Sequence, residues 1–396
     1  MPINAYRSVA KLITLSLALA LSSSILPSAR ADGCDAGKVQ IGSDCVTVTE
    51  AADGIRRIVR EAIDGSHLKA VIVSIKIGDT PVLTEAWGES MTGVPATTAM
   101  HFRNGAVTIA YLATVLLELQ EKGQLSLDDK LSKWFPEYPQ ADRVTLRMLI
   151  GSTSGYADYV DANVIVPPLY ANPFRQWTTE ELIKLALDRP MKCDPGACFA
   201  YSHANFVILG EVLSKVTGKP VAALIKDGVL TPLRLENTRS EETPAIQEPV
   251  LHAFDGERGV YEDSTYWNPS WTLARGAIMT TDIGDLLTSA IAIGTGSLLS
   301  PESHGLQTAM PDPPLPGFNE DFYYGLGLVV AKSWIVQTPS FAGYAAAMAY
   351  LPPRKIGIAV TATMGPTTPD SPRPTDVLLA NLAGYLAPDY APKVPR

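Results

Sequence analysis

Strand-like segments at both ends of the chain, with helical patterns between them, constrain the fold most strongly. Segments 71–77 and 82–87 flank a turn and predict an N-terminal hairpin. Segments 325–331, 345–351 and 356–362 have the same apolar, β-branched character near the C-terminus. We therefore predict an α+β fold. An antiparallel sheet is built from N- and C-terminal strands and flanked by helices, with a mostly helical region inserted between them.

Helical spacing of apolar residues and end signals place the main helices of this arrangement. The patterns predict helices over 49–63, 108–122 and 205–217, the last ending at Gly218. Thr178 and Glu181 have the spacing of a capping box, which predicts another helix from there toward Leu187.

Composition and charge exclude two classes of protein. Of the 396 residues 46% are hydrophobic and only 18% charged, which excludes a disordered chain. The formal net charge is −9 and no basic run is present, so we expect no nucleic-acid partner.

Residues 1–31 have the features of a signal peptide. Arg7 and Lys11 precede an apolar stretch over 12–26, and Ala29-Arg30-Ala31 matches a cleavage site. We predict a secreted or cell-envelope protein without a transmembrane span. Residues 32–48 would form an N-terminal disulfide-bearing segment, and residues 49–390 one domain.

Four cysteines in an exported chain predict two disulfides. The sequence-local pairing is Cys34–Cys45 with Cys193–Cys198, and two other connectivities remain open. Cys34 directly follows the expected cut, but the residues before it lack the leucine of a lipobox, so lipidation is the less favoured alternative. The histidines are scattered without a metal-binding motif, so we expect neither a metal nor another cofactor.

General catalytic motifs are weak. Residues 151–155 resemble a nucleophile elbow, but Thr153 stands where the serine would be, and a turn explains them better. One S-x-x-K match lies in the leader. The other, Ser66 with Lys69, enters a predicted strand, where that spacing sends the two side chains to opposite faces.

Several segments in order resemble a known superfamily. They read FRNGAVTI at 102–109, GQLSLDD at 123–129, LIGSTSG at 149–155 and FAYSHANF at 199–206, followed by TPL, GAIMTT and YGLG. Together they resemble the serine β-lactamase/DD-peptidase superfamily, in its class C β-lactamase and D-alanyl-D-alanine carboxypeptidase-like branch, over roughly residues 50–390. The resemblance implies the same fold for this chain.

The resemblance also implies that the catalytic residues are lost. The family's nucleophilic serine falls on Ala106 and its lysine on Ile109. The tyrosine of the family's Y-x-N motif is retained as Tyr201, whereas the asparagine position is His203. The third motif, which the family carries on an edge strand, falls on residues 337–339, where Gln337 and Pro339 replace a basic or imidazole group and a glycine.

We therefore interpret the chain as a catalytically inactive homologue that acts as a binding or scaffold protein. Its partner would be a peptidoglycan stem peptide, a lipid or another protein. The candidate cleft residues are Tyr201, His203, Asn205, Gln337 and Gly343. The aromatic group of Tyr261, Tyr266, Trp267 and Trp271 is a candidate cleft rim. For each of these, a purely structural role is the competing interpretation.

The alternative is an active serine hydrolase of esterase, β-lactamase or carboxypeptidase type with a displaced nucleophile. His203 or Tyr201 would then be the base, and the candidate nucleophiles are Thr108, Ser152, Ser154 and Ser202. An alanine introduced at position 106 as an engineered trap is disfavoured, because a trap needs only one change.

Overall fold

The computed structural model describes residues 34–161, 163–240, 242–369 and 371–393. The predicted signal peptide lies outside these residues. In chain order the strands are β1 (Lys38–Ile41), β2 (Asp44–Thr47), β3 (Leu68–Ile77), β4 (Thr80–Met91), β5 (Val94–Pro95), β6 (Phe102–Arg103), β7 (Arg239–Ser240), β8 (Phe254–Asp255), β9 (Glu262–Asp263), β10 (Met279–Thr281), β11 (Phe322–Tyr324), β12 (Val329–Ala331), β13 (Trp334–Gln337), β14 (Ser340–Phe341), β15 (Tyr344–Leu351) and β16 (Ile356–Met364).

The helices fill the long interval between the two groups of sheet strands and also flank them. They are α1 (Val48–Ser66), α2 (Val107–Glu121), α3 (Leu146–Ile150), α4 (Val166–Ala171), α5 (Thr179–Leu187), α6 (His203–Thr217), α7 (Val221–Ile225), α8 (Thr231–Leu233), α9 (Ile283–Thr295), α10 (Pro301–Thr308) and α11 (Pro374–Leu386).

One antiparallel sheet joins the two ends of the chain. Its order is β11-β12-β13-β15-β16-β3-β4-β5, with β14 pairing to β15. The C-terminal strand β16 pairs with the N-terminal strand β3, so that Ile358 lies opposite Ile75. The predicted sheet from both termini, with a mostly helical insertion, is confirmed.

The central strands β3, β15 and β16 are buried along nearly their whole length because helices cover both faces of the sheet. In β3, Ile72 belongs to the larger core, which it shares with α2 and α9. Its neighbours Val71 and Val73 belong to a second core, with α1 and α11. This alternation follows from the two-residue period of a strand.

Several predicted bounds need correction. Helix α1 begins at Val48 and extends to Ser66 rather than ending at 63, and α6 begins at His203 rather than at 205. Helix α2 is shifted by one residue from the predicted range.

The predicted strand over 325–331 is wrong in its first half, since only Val329–Ala331 is strand. Gly327 adopts a φ of +74°, and a Cβ there would lie 2.9 Å from the Ile109 carbonyl oxygen of α2. The chain therefore turns against α2 before the strand begins.

Both sequence-local disulfides are formed. Cys34 is bonded to Cys45 beside the β1–β2 hairpin, and Cys193 to Cys198 in the segment before α6. None of the helices in the described part of the chain combines the length and apolar character that crossing a bilayer requires.

Candidate functional site

A cleft of about 420 Å³ opens where the starts of α2 and α6 meet the end of β13. Its walls are mostly apolar and aromatic, with a few polar groups. The lining residues are Gly105, Ala106, Val160, Phe199, Tyr201, His203, Trp271, Thr272, Leu273, Phe318, Phe322, Tyr324, Val329, Gln337, Thr338, Pro339, Ser340, Phe341 and Arg373. The volume is in the range of small-molecule sites, about 300–1,000 Å³.

Of the two positions that the resemblance assigns to the family's nucleophile and lysine, only the first lines this cleft. Ala106 is the N-cap of α2 and lines the cleft. Ile109, one turn later, is fully buried in the larger core. A methyl group can neither attack a carbonyl nor accept a proton, so the classical acyl-enzyme step has no nucleophile at position 106.

The segment 337–339, the third motif of the resemblance, packs against the segment 102–109, the first. A Cβ on Gly105 would lie 2.6 Å from the Pro339 Cβ, so Pro339 closes directly onto Gly105. Gln337 is buried, and its amide nitrogen donates a 2.5 Å hydrogen bond to the Gly327 carbonyl oxygen. That amide is therefore engaged with the backbone of the turn between β11 and β12.

The expectation that the third motif lies on an edge strand is wrong in part. Strand β12 pairs with β13 as far as Val336, opposite Val329. Only from Gln337 onward does the outer side of β13 lack this partner. Strands β11 and β12 therefore lie outside β13 up to the point where the cleft begins.

Tyr201 and His203 stand together on one wall. Their rings meet edge to face with centroids 5.2 Å apart. His203 also contacts Asp158, its Nδ1 lying 3.0 Å from one carboxylate oxygen and 3.2 Å from the other. Burial raises the pKa of the Tyr201 hydroxyl, and the charge of Asp158 raises that pKa further.

Two predicted cleft residues do not line the cleft. Asn205 is fully buried in α6 and accepts a 2.5 Å hydrogen bond from the Ser154 hydroxyl. Gly343 has a φ of +79°, and a Cβ there would lie within 3 Å of Phe254 backbone atoms. A close backbone approach in a tight turn explains that glycine, so spacing alone misplaced it.

None of the four candidate displaced nucleophiles lines the cleft. Thr108, Ser152, Ser154 and Ser202 are all fully buried. The Thr108 hydroxyl donates to the Gly105 carbonyl oxygen, and the Ser202 hydroxyl donates to that of Ala157. Ser202 and His203 are not paired with each other, because Ser202 is the extended N-cap of α6 and its hydroxyl donates to Ala157.

Much of the cleft wall was not predicted from the sequence. The lining residues Arg373, Phe318, Phe322 and Phe341, and the His203 partner Asp158, come from loops and strand ends far apart in the chain. Of the predicted aromatic rim, Trp271 lines the cleft and meets Phe341 edge to face at 5.8 Å. Trp267 is buried against Tyr170 instead. No local pattern marks these residues, because their proximity depends on the tertiary fold.

Comparisons with known proteins agree with this architecture. The family model described as Beta-lactamase matches residues 55–382. The chain is 27% identical over 240 residues to the putative penicillin-binding protein PbpX of Bacillus subtilis (strain 168), covering 58% of this chain and 54% of that protein. It is also 27% identical over 200 residues to penicillin-binding protein 4 of Amycolatopsis lactamdurans, covering 49% of this chain and 50% of that one. The chain thus spans about half the length of these curated relatives.

Solved structures share the fold. A D-stereospecific amidohydrolase from Streptomyces sp. superposes with a TM-score of 0.73 at 24% identity, covering 84% of this chain and 98% of the other. D-amino acid amidase from Ochrobactrum anthropi SV3 gives a TM-score of 0.73 at 19% identity, covering 85% and 99%. At these identities the likeness establishes the fold alone. The family match, the joined sheet and the position of the cleft lead to one conclusion: this chain belongs to the beta-lactamase family, within the serine β-lactamase/transpeptidase superfamily.

Proposed function

We propose that this chain is a member of the family that forms no acyl-enzyme and binds a small ligand non-covalently in the cleft. The observation that carries the proposal is Ala106, a methyl group at the lining position of the family nucleophile. Ile109 supports it, because the proton-accepting lysine position is a buried hydrocarbon.

The character of the walls supports a ligand with an apolar body. Aromatic rings such as Trp271 and Phe341 offer large, rigid contact surfaces. The ligand classes to test are a peptidoglycan stem peptide, a lipid and an apolar side chain of a partner protein. The closure of Pro339 onto Gly105 favours a compact ligand over an extended peptide backbone.

An extracytoplasmic location is part of the proposal. Two disulfides, the predicted signal peptide and relatives named as penicillin-binding proteins support it. Disulfides persist mainly in oxidising compartments.

The test of the missing nucleophile is intact mass spectrometry of the mature protein after incubation with a fluorophosphonate or a penicillin. We expect no mass gain with either reagent. Ala106→Ser, alone and with Ile109→Lys, serves as the positive comparison, since it restores a hydroxyl at the lining position. A stoichiometric adduct on the native chain would overturn the proposal. Ser340→Ala, which removes an aliphatic hydroxyl lining the cleft, would show whether Ser340 carries that adduct.

The test of binding is ligand-observed NMR with small aromatic carboxylates and short acyl chains. We expect Trp271→Ala to weaken binding by tenfold or more, about the effect of truncating one aromatic anchor. Trp177→Phe, a substitution outside the cleft lining, is the control. Equal binding by the native chain and Trp271→Ala would contradict the assignment of the cleft.

A further inference from the structure

We propose that His203, held by Asp158, is a general base that activates a water molecule in the cleft for hydrolysis of small apolar esters with good leaving groups. The inference rests on the proposed function, because it requires a cleft that binds ligands without an acyl-enzyme step.

The hydrogen bonds of His203 assign its tautomer. A carboxylate only accepts hydrogen bonds, so the ring nitrogen facing Asp158, Nδ1, carries the proton. The neutral ring then has its lone pair on Nε2. The ring lines the cleft, and its side chain is 21% exposed. This is the arrangement that a general base for a cleft-bound water requires.

Asp158 is itself fixed in place. One carboxylate oxygen accepts hydrogen bonds from the backbone N–H groups of Val160, at 3.0 Å, and His203, at 3.1 Å. The Arg189 guanidinium donates a 2.6 Å hydrogen bond to the Asp158 carbonyl oxygen and so anchors the same segment. Asp158 therefore acts as a positioning residue, which orients the imidazole and stabilises its protonated form.

The other groups around His203 suit this role. Tyr159 and Tyr201 contact the ring, and Arg373 lies on the same cleft. Burial raises the pKa values of both tyrosines, so both remain protonated at neutral pH. Ile109 stands in place of a lysine, so the Nε2 lone pair of His203 is the proton acceptor that this wall offers.

The reaction balances without a further reactant. His203 Nε2 takes a proton from water while the water oxygen forms a bond to the ester carbonyl carbon. The tetrahedral intermediate collapses by breaking the bond to the leaving oxygen, which receives the proton back from His203. Ala106 lies at the N-terminus of α2, whose partial positive charge stabilises the developing oxyanion.

The substrate class follows from what the cleft lacks. Without a covalent nucleophile, general-base catalysis alone contributes about 10²–10⁴-fold. That range suits activated esters rather than amides. The aromatic walls and the volume of about 420 Å³ favour a short acyl group and an aryl leaving group.

The experiment is hydrolysis of p-nitrophenyl butyrate by the full mature chain. We expect saturable hydrolysis, a loss of about 10²-fold in kcat for His203→Ala, and partial recovery of that loss by added imidazole. His252→Ala is the matched control, because His252 also pairs with an aspartate, Asp263 at 2.9 Å, yet does not line the cleft. It should keep the native rate.

The pH profile separates catalysis from folding. The native rate should fall in acid as an imidazole is protonated, and this acid limb should disappear in His203→Ala. Asp158→Asn should lower kcat with little change in KM, since it removes the charge that fixes the tautomer. Circular dichroism checks that each variant is folded. If His203→Ala is not folded, His203→Gln takes its place.

Failure of this inference and failure of the proposed function give different results. Absence of saturable hydrolysis, or an equal rate for His203→Ala and the native chain, would overturn the inference and leave the proposed function standing. An acyl adduct in acid-quenched mass spectra of the reaction would overturn the proposed function and the water route together.

Discussion

At the scale of single residues, Pro339 packs closely against Gly105 in the cleft. Gly105 has a φ of +48°, and the space where its Cβ would lie is already taken by the Pro339 ring. Two independent constraints, backbone conformation and close packing, therefore require glycine at this position. They also explain why a proline can occupy the third-motif position without leaving a gap.

Gly105→Ala should destabilise the protein through both constraints. We expect a loss of about 1–3 kcal/mol in the free energy of unfolding beyond that of Gly93→Ala, measured by urea denaturation. Gly93 is the matched control, since its φ is +75° and nothing lies within 4 Å of its added Cβ. Adding Pro339→Gly should restore part of the loss, and equal effects of the two alanine variants would contradict the close contact.

Site residues within local sequence motifs could be predicted, whereas those whose partners are distant in the chain could not. Ordered motifs predicted that Ala106, Tyr201, His203 and Gln337 would lie at the cleft, because each motif occupies a definite place in the family fold. The partner of His203 could not be predicted, since Asp158 is 45 residues away and only the tertiary fold joins them. Gly343 was misplaced for the same reason, as Phe254, against which it packs, comes from a distant strand.

At the scale of elements, helix ends were predicted best where side chains cap them. In α5 the Thr178 hydroxyl accepts from the Glu181 N–H, and the Glu181 carboxylate accepts from the Thr178 N–H. This local pair confirms the capping box expected from the sequence. The start of α6 was missed by two residues, because Ser202 makes no such cap and its hydroxyl donates to Ala157.

The capping box of α5 should make stability depend on pH. The backbone N–H of Thr178 lowers the pKa of Glu181, so the carboxylate stabilises the folded state above the ordinary glutamate pKa of about 4.3. That stabilisation is lost as the pH falls through the lowered folded-state pKa. Glu181→Gln should therefore destabilise the protein at neutral pH, and the difference from the native chain should shrink as the pH falls below the ordinary glutamate pKa.

Urea denaturation at a series of pH values measures this effect. Glu180→Gln is the control, because Glu180 lies in the same first turn of α5 and has no part in the capping box. Thr178→Ala, which removes the other half of the box, should cost about 1 kcal/mol. A pH-independent difference between Glu181→Gln and the native chain would show that the capping carboxylate makes no such contribution.

At the scale of the whole molecule, one sheet lies between two hydrophobic cores and contributes side chains to both. The strands β3, β15 and β16 send alternate side chains to the core with α2 and α9 and to the core with α1 and α11. The cleft draws its walls from both the helical insertion and the end of the sheet. Strand patterns at both termini were enough to predict this joined sheet, because a buried strand requires partners and the insertion offered few strand-like segments.

Since both cores share the same strands, the described domain should unfold as one cooperative unit. Ile72→Ala and Ile75→Ala are matched probes on β3, because the two isoleucines are almost fully buried on opposite faces of the sheet. Each should cost about 2–5 kcal/mol. Trp334 lies in one core and Trp177 in the other, so single-tryptophan variants report the two faces separately. We expect either alanine substitution to lower the denaturation midpoint of both tryptophan signals equally, whereas a shift confined to the reporter on the same face would show that the cores unfold independently.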